Sequence, residues 1–314
     1  MTVSELKRHI LGQLTPAVGS DEATAMMREV FLVLLKYKPV DVVLHGDREV
    51  TEQTVETVGR WISRVKAGEP FQYVIGSAPF MGMELKVTPA VLIPRPETAQ
   101  LVDIITDHAD STPGLNVMDI GTGSGCIALA LARALPFATV TAVDVSDAAL
   151  DVARWNADNL HVRNVQFLKA DALNMATGCG ASAGNGFAAA ADCRTVQTPF
   201  DVIVSNPPYI AMSEKAGMDA RVYDHEPTSA LFVPDSDPVC FYRAISQYAV
   251  FGDARSAAPI PGVGPALAPG GTLYFEINPL FVDRLKTLFA AQPWASVDFV
   301  RDYKGAVRFA ILER

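Results

Sequence analysis

The chain has 314 residues, 49% of them hydrophobic and 19% charged, with a formal net charge of −9. That balance is ordinary for a soluble globular protein, and the length leaves room for two domains. The acidic surplus argues against broad phosphate binding, which needs a basic surface, so no direct nucleic-acid contact is expected. The four cysteines, Cys126, Cys179, Cys193 and Cys240, make no Cys-x-x-Cys pair and suggest no metal site, and they read as reduced thiols. No apolar run approaches the roughly 20 residues that span a bilayer. Glu5, Lys7 and Arg8 stand where a signal peptide would need its apolar core. A cytoplasmic protein without a membrane partner is expected.

Residues 1–70 read as a helical domain. Ser20 is placed to cap a helix through "DEATAMMREVFLVLLKY", with Asp21 and Glu22 in its first turn, and Lys38-Pro39 stops the run. A further helix, "TEQTVETVGRWISRVKA", ends at Gly68. These helices carry no catalytic set, which assigns them to packing or partner recognition. Residues 71–93 hold β-formers punctuated by Gly76, Pro79, Gly82 and Pro89, the pattern of a β-hairpin linker. The Pro94-Arg95-Pro96-Glu97-Thr98 corner then opens a helix, with Pro96 suited to its first turn.

From about residue 115 the pattern alternates. "LNVMDI" reads as a strand, "GCIALALARAL" as a helix, "ATVTAVDV" as a strand and "SDAALDVARWNADNL" as a helix. The strands "VQFLKA" and "FDVIVS" follow, then a helix around "VCFYRAISQYA", the strand "GTLYFEI" and the helix "LFVDRLKTLFA". "SVDFVR" and "AVRFAIL", joined by a short "DYKG" turn, close the chain. Apolar strands alternating with helices predict an α/β fold, a mostly parallel sheet covered on both faces, with one antiparallel strand from the final pair. Two Gly- and Ala-rich stretches, 174–199 and 251–268, interrupt this pattern and read as flexible surface insertions without chemistry.

"VMDIGTGSGCIAL" sets Gly121, Gly123 and Gly125 between a strand and a helix. Glycines there allow a tight turn and close approach of backbone N–H groups to a ligand. The spacing is not the G-x-G-x-x-G of dinucleotide folds, and no lysine follows to complete a P-loop. Asp144 ends the next strand, where an acid can accept hydrogen bonds from both hydroxyls of a ribose. Together these features fit a nucleoside ligand without a pyrophosphate, S-adenosylmethionine. Asp119, just before the loop, serves either the amino end of the methionine moiety or the turn itself as a cap. Asp171, ending the third strand, stands where an adenine amino group would be met, with Ala172 making that side small and apolar.

"DVIVSNPPYIAMSE" ends a buried strand in Asn206-Pro207-Pro208-Tyr209. In an open α/β sheet, ligands bind beyond the carboxyl ends of the strands, so this corner should share a crevice with Asp144. A planar NH2 group is a poor nucleophile because its lone pair is delocalised. The Asn206 side-chain oxygen and the Pro207 carbonyl are two acceptors able to orient such a nitrogen and favour its pyramidal form. Two prolines stiffen the corner, and Tyr209 is able to pack its ring over a planar acceptor group.

The NPPY tetrapeptide resembles that of amino-group methyltransferases acting on glutamine amides or on adenine. "FQYVIGSAPFMGMELKVTPAVLIPRPETAQLV", "NPPYI", "YDHEPTSAL" and "RDYKGAVRFAIL" narrow the resemblance to the bacterial release factor glutamine methyltransferases. The resemblance implies a helical N-terminal substrate-recognition domain (1–70), the hairpin linker (71–93) and a class I methyltransferase domain (94–314) with a doubly wound, seven-stranded sheet. It implies methyl transfer from S-adenosylmethionine to N5 of the glutamine in the Gly-Gly-Gln loop of peptide chain release factors. By position, the loop from Gly121 through Thr122, Gly123 and Ser124 to Gly125, with Asp144 and Ala172, would meet the cofactor. Asn206, Pro207, Pro208 and Tyr209 would hold the glutamine, and Asn206 borders both. Arg95 and Glu97 either shape the substrate entrance or form a salt pair at the helix start. The chain departs from the family at "EINPLF", where a Gly and a Gln are usual and Asn278 and Phe281 stand. Glutamine methylation of a ribosomal protein, and less so adenine-N6 methylation of DNA, are the alternative activities.

Overall fold

The computed structural model describes residues 1–109, 113–177, 199–260 and 263–314. The chain forms two units, Met1–Ser77 with Asp219–His225, and Ala78–Met218 with Glu226–Arg314.

The first unit is helical: α1 (Val3–Val18), α2 (Ser20–Leu35), α3 (Pro39–Leu44), α4 (Glu52–Lys66) and α5 (Phe71–Ile75). Apolar residues at helical spacing supply its core, with Val3, Leu6, Ile10 and Leu14 from α1, Met27, Val30 and Phe31 from α2, and Val58, Ile62 and Val65 from α4. Thr2 and Thr51 cap α1 and α4. Ser20 does not cap α2. Gly19, at φ +87°, ends α1 and starts α2, a one-residue link that glycine permits. The β-formers of Phe71–Ile75 make a helical turn rather than a strand. The Arg64 guanidinium donates to the carbonyls of Val74 (3.1 Å) and Tyr73 (3.3 Å) and so satisfies that turn's end.

In the second unit β1 (Ser77–Phe80) and β2 (Met83–Lys86) form a hairpin ahead of α6 (Pro96–Ala109). Then come β3 (Asn116–Ile120), α7 (Cys126–Ala134), β4 (Thr139–Asp144), α8 (Asp147–Asn159), β5 (Val165–Lys169) and β6 (Phe200–Ser205). After β7 (Ile210–Ala211), α9 (Ala220–Tyr223) counts with the first unit, where Arg221 pairs with Glu22 at 2.7 Å. α10 (Thr228–Leu231), β8 (Phe232–Val233), α11 (Cys240–Phe251), β9 (Leu267–Glu276), α12 (Val282–Ala290), β10 (Ser296–Arg301) and β11 (Val307–Glu313) complete the chain.

Seven strands form one sheet in the order β10-β11-β9-β6-β3-β4-β5. β9, β6, β3, β4 and β5 run parallel, and β11 is antiparallel to both neighbours. This is the predicted doubly wound sheet. Side chains alternate between its faces. Val117, Val140, Val202 and Val204 pack under α6 and α7, while Met118, Ile120, Ile203 and Phe275 pack under α11 and α12. The chain reverses its direction of travel across the sheet at β3, so β3, β4 and β6 open a crevice at their carboxyl ends.

Residues 178–198 of the first expected insertion lie outside the described residues. Its start is tied down: Ala176 bridges Asp253, and the Thr177 N–H donates to the Gly252 carbonyl at 2.6 Å. The 251–268 stretch, expected as surface, contributes Ala254, Ala266 and Leu267 to the core beneath α11, because β9 starts four residues before the predicted strand. Alanine-rich sequence understates such packing, since small side chains bury well where backbones approach closely.

Asn156 of α8 is fully buried and holds two segments that bear on the crevice. Its Oδ1 accepts the Lys86 N–H at 2.7 Å, and its Nδ2 donates to the carbonyls of Lys86 (3.1 Å) and Ser124 (2.9 Å). Replacing it leaves three backbone groups without partners. Asn156→Ala is expected to lower unfolding stability by about 3 kcal/mol, measured by urea unfolding, and a loss under about 1 kcal/mol would contradict this role.

Candidate active site

The crevice is a cleft of about 1050 Å³, counting the part open to solvent. Its wall is drawn from the ends of three strands. The loop after β3 contributes Gly121, Thr122, Gly123 and Ser124, the end of β4 contributes Asp144 and Val145, and the end of β6 contributes Ser205, Asn206, Pro207 and Pro208. The loop is bound to β4 through the Gly121 and Thr122 N–H groups, which both donate to the Val143 carbonyl at 2.9 Å. β6 is bound to β3 through the Ser205 hydroxyl, which donates to the Ile120 carbonyl at 2.7 Å.

Gly121 and Gly123 have φ of +78° and +54°, and a Cβ built on either would meet no protein atom within 4 Å. The backbone demands glycine there, while the space beside it stays open to the cleft. Asp144 accepts the Gly123 N–H on Oδ2 and the Ser146 N–H on Oδ1, each at 2.9 Å. One bond per oxygen leaves lone pairs on both for a diol. Val145, next to it, is an apolar side chain left 56% exposed in the cleft wall. Glycine backbone, a bidentate acid and a small apolar wall with Ala172 fit the nucleoside of S-adenosylmethionine.

Four predicted residues stand apart from this wall, the first being Gly125, whose Cα faces Ala153 and Leu129 so closely that a Cβ would meet both at 3.2 Å. Asp119 is fully buried, with Oδ2 accepting the Thr122 hydroxyl (2.7 Å) and the Ala128 N–H (3.2 Å) and Oδ1 unpaired. Of its two readings, these contacts are those of the turn cap. Asp171 accepts the Leu173 N–H (3.0 Å) and the Asn174 amide (2.7 Å), one bond per oxygen, and lies outside the cleft lining, while its neighbours Ala170 and Ala172 line it. Tyr209 packs against the α11 side of the sheet rather than lining the cleft, and its hydroxyl donates to Glu276 Oε1 at 3.3 Å. Burial pushes its phenol well above the ordinary range, so it stays protonated.

Arg95 and Glu97 do not pair with each other. Arg95 lines the cleft and reaches Glu226, which is 4% exposed, at 2.6 Å, whereas Glu97 pairs with Lys304 at 2.6 Å. Asn278, at the departure from the family pattern, caps the turn at Leu280 and donates to the Tyr209 carbonyl at 3.1 Å, bracing the NPPY corner from behind.

Residues 111–248 match the family profile described as a methyltransferase domain, and residues 5–76 match one described as the PrmC N-terminal domain. A release factor glutamine methyltransferase of Bacteroides thetaiotaomicron is 33% identical over 312 residues, covering 99% of this chain and 100% of the relative. That of Streptococcus pneumoniae is 41% identical over 234 residues, 73% of this chain and 75% of the relative. This chain belongs to the release factor glutamine methyltransferase family. A solved hMettl16 catalytic domain, in complex with MAT2A 3'UTR hairpin 6, shares the fold at a TM-score of 0.50 and 14% identity, over 84% of this chain and 81% of that one.

Thr98 and Glu276 escaped the sequence reading. Thr98 was taken only as part of a helix start, yet it is 2% exposed and its hydroxyl donates to Glu276 Oε2 at 2.7 Å. The signal for Glu276 was present, an acid inside the apolar strand "GTLYFEI".

Burial raises the Asp119 carboxyl to about 7, against the lowering pull of its Thr122 and Ala128 hydrogen bonds. A folded value above the unfolded one means that the native state holds a proton the unfolded state releases. Its stabilising contribution is complete below the ordinary carboxylate range and is lost as pH rises through about 7. The Tm of Asp119→Asn relative to wild type should therefore climb between about pH 5 and about pH 8. A difference that stays constant over that range would contradict the assignment.

Proposed function

We propose that this protein transfers a methyl group from S-adenosylmethionine to the side-chain amide nitrogen, N5, of the glutamine in the Gly-Gly-Gln motif of peptide chain release factors. The observation that carries this reading is the opening of Asn206-Pro207 and of Asp144 onto one cleft, in a chain of this family. When bound, S-adenosylmethionine supplies an electrophilic methyl group on a sulfonium sulfur. The loop from Gly121 to Ser124 and Asp144 would hold its nucleoside, with Gly125 letting the loop pack on α8, and Val145 and Ala172 would give the base an apolar wall. Asp119 shapes the loop from beneath.

Asn206 Oδ1 takes one N–H of the glutamine amide and the Pro207 carbonyl takes the other. The two acceptors hold the nitrogen pyramidal and in line for transfer. Transfer to a nitrogen so held would form the N–C bond as the donor's S–C bond broke, and one proton of the former NH2 group would leave to water. The methylated nitrogen is acidic enough that no strong general base is required. Pro208 and Tyr209 stiffen the corner, and Tyr209 supports it from behind rather than covering the glutamine.

Among the described residues no helix is long and apolar enough to cross a membrane. We place the protein in the cytoplasm with its substrate. We assign the N-terminal helices to recognition of that substrate, since Val40, Val43 and Leu44 of α3 are exposed apolar side chains.

Mass spectrometry of a purified release factor after incubation with labelled S-adenosylmethionine tests the reading. One methyl on the Gly-Gly-Gln peptide is the expected result, and label only on a ribosomal protein or on DNA would overturn the substrate. Asn206→Ala should reduce turnover by on the order of a hundredfold or more while leaving donor affinity near wild type. Asp144→Ala should do the reverse, weakening donor binding in calorimetry; unchanged affinity would refute the ribose assignment.

A further inference from the structure

Behind the NPPY corner runs a chain of polar groups that starts at the cleft and ends on a buried acid. The Asn206 amide nitrogen donates to Thr98 Oγ1 at 3.1 Å, and the Thr98 hydroxyl donates to Glu276 Oε2 at 2.7 Å. Glu276 is 1% exposed, and its other oxygen accepts the Tyr209 hydroxyl. Burial raises its carboxyl, and the Thr98 hydroxyl, the Arg308 guanidinium on β11 and the Tyr209 hydroxyl pull it back toward the ionised form, with Glu97 on α6 opposing them. A carboxylate only accepts hydrogen bonds, and a hydroxyl has one proton to give. Once the Thr98 proton is committed to Glu276, its oxygen can only accept from Asn206. The amide must then turn its NH2 toward Thr98, which leaves Oδ1 as the free acceptor of a residue that lines the cleft.

We propose that Thr98 and Glu276 are positioning residues for methyl transfer, selecting through a single hydroxyl the orientation of the Asn206 amide that presents oxygen to the substrate. The proposal rests on the role given to Asn206 above. The opposite orientation would face the NH2 of Asn206 against the NH2 of the substrate, donor to donor, and lose one of the two acceptors. An uncharged partner at position 276 permits that orientation. A glutamine there can donate to Thr98 Oγ1, freeing the Thr98 proton to turn to Asn206 Oδ1.

Steady-state methylation of release factor by wild type, Thr98→Val, Thr98→Ser and Glu276→Gln tests this. The valine and glutamine variants should lose about 10- to 100-fold in kcat, with KM for the methyl donor changed by less than about threefold. Serine, which keeps the hydroxyl, should return kcat to within about threefold of wild type. Wild-type kcat in Thr98→Val overturns the proposal. Neutron diffraction from crystals of wild type and Glu276→Gln reads the amide directly, with no substrate needed. Nδ2 toward Thr98 in wild type and Oδ1 toward Thr98 in the variant is the expected pair of results; Oδ1 toward Thr98 in wild type overturns it. If wild type leaves release factor unmethylated, the substrate reading fails, and the neutron result still decides the proposal.

Discussion

Where parallel strands end together, the backbone groups left at their ends must find partners, and the crevice depends on how β3, β4 and β6 meet that demand. The Val143 carbonyl takes two N–H groups from the glycine loop, and the Ile120 carbonyl takes the Ser205 hydroxyl. These bonds satisfy buried acceptors and, in doing so, fix the loop, the acid and the NPPY corner relative to one another. Binding geometry here follows from satisfying polar groups at the carboxyl ends of interior strands.

The carboxylates divide by depth. Asp144 sits at the wall with lone pairs to spare, and each of its backbone bonds also orients it toward the cleft. Asp119 and Glu276 lie behind the wall, where burial disfavours their charge, and each accepts the hydroxyl of a threonine that lines the cleft, Thr122 or Thr98. The buried acids hold protein groups in place, while the half-buried one opens onto the cleft. Such burial is tolerable because nearly every oxygen is hydrogen-bonded; Asp119 Oδ1 is the exception, and its carboxyl is the one raised to about 7.

Much of this was legible in the chain. Buried parallel strands read as apolar runs, so "FDVIVS" was placed to the residue as β6, and the glycine loop and NPPY corner stood out because few other demands produce them. Residues whose role depends on distant partners were not legible. Thr98 meets Glu276 across 178 positions, and no local pattern marks a hydroxyl chosen for what it accepts from behind. Asp171 was read from its strand-end position alone, and no sequence pattern marks that it turns to Leu173 and Asn174 while its neighbours line the cleft. Asn278 looked like a loss relative to the family, yet its amide braces the very corner the chemistry needs.

The central claim is that Asn206 Oδ1 and the Pro207 carbonyl together hold a glutamine amide nitrogen. A crystal structure of the protein with S-adenosylhomocysteine and a Gly-Gly-Gln peptide tests it most directly. The account predicts the side-chain nitrogen of the glutamine within hydrogen-bond distance of both oxygens, facing the sulfur across the cleft. A glutamine bound with its carbonyl oxygen toward Asn206, or held away from Pro207, would contradict it.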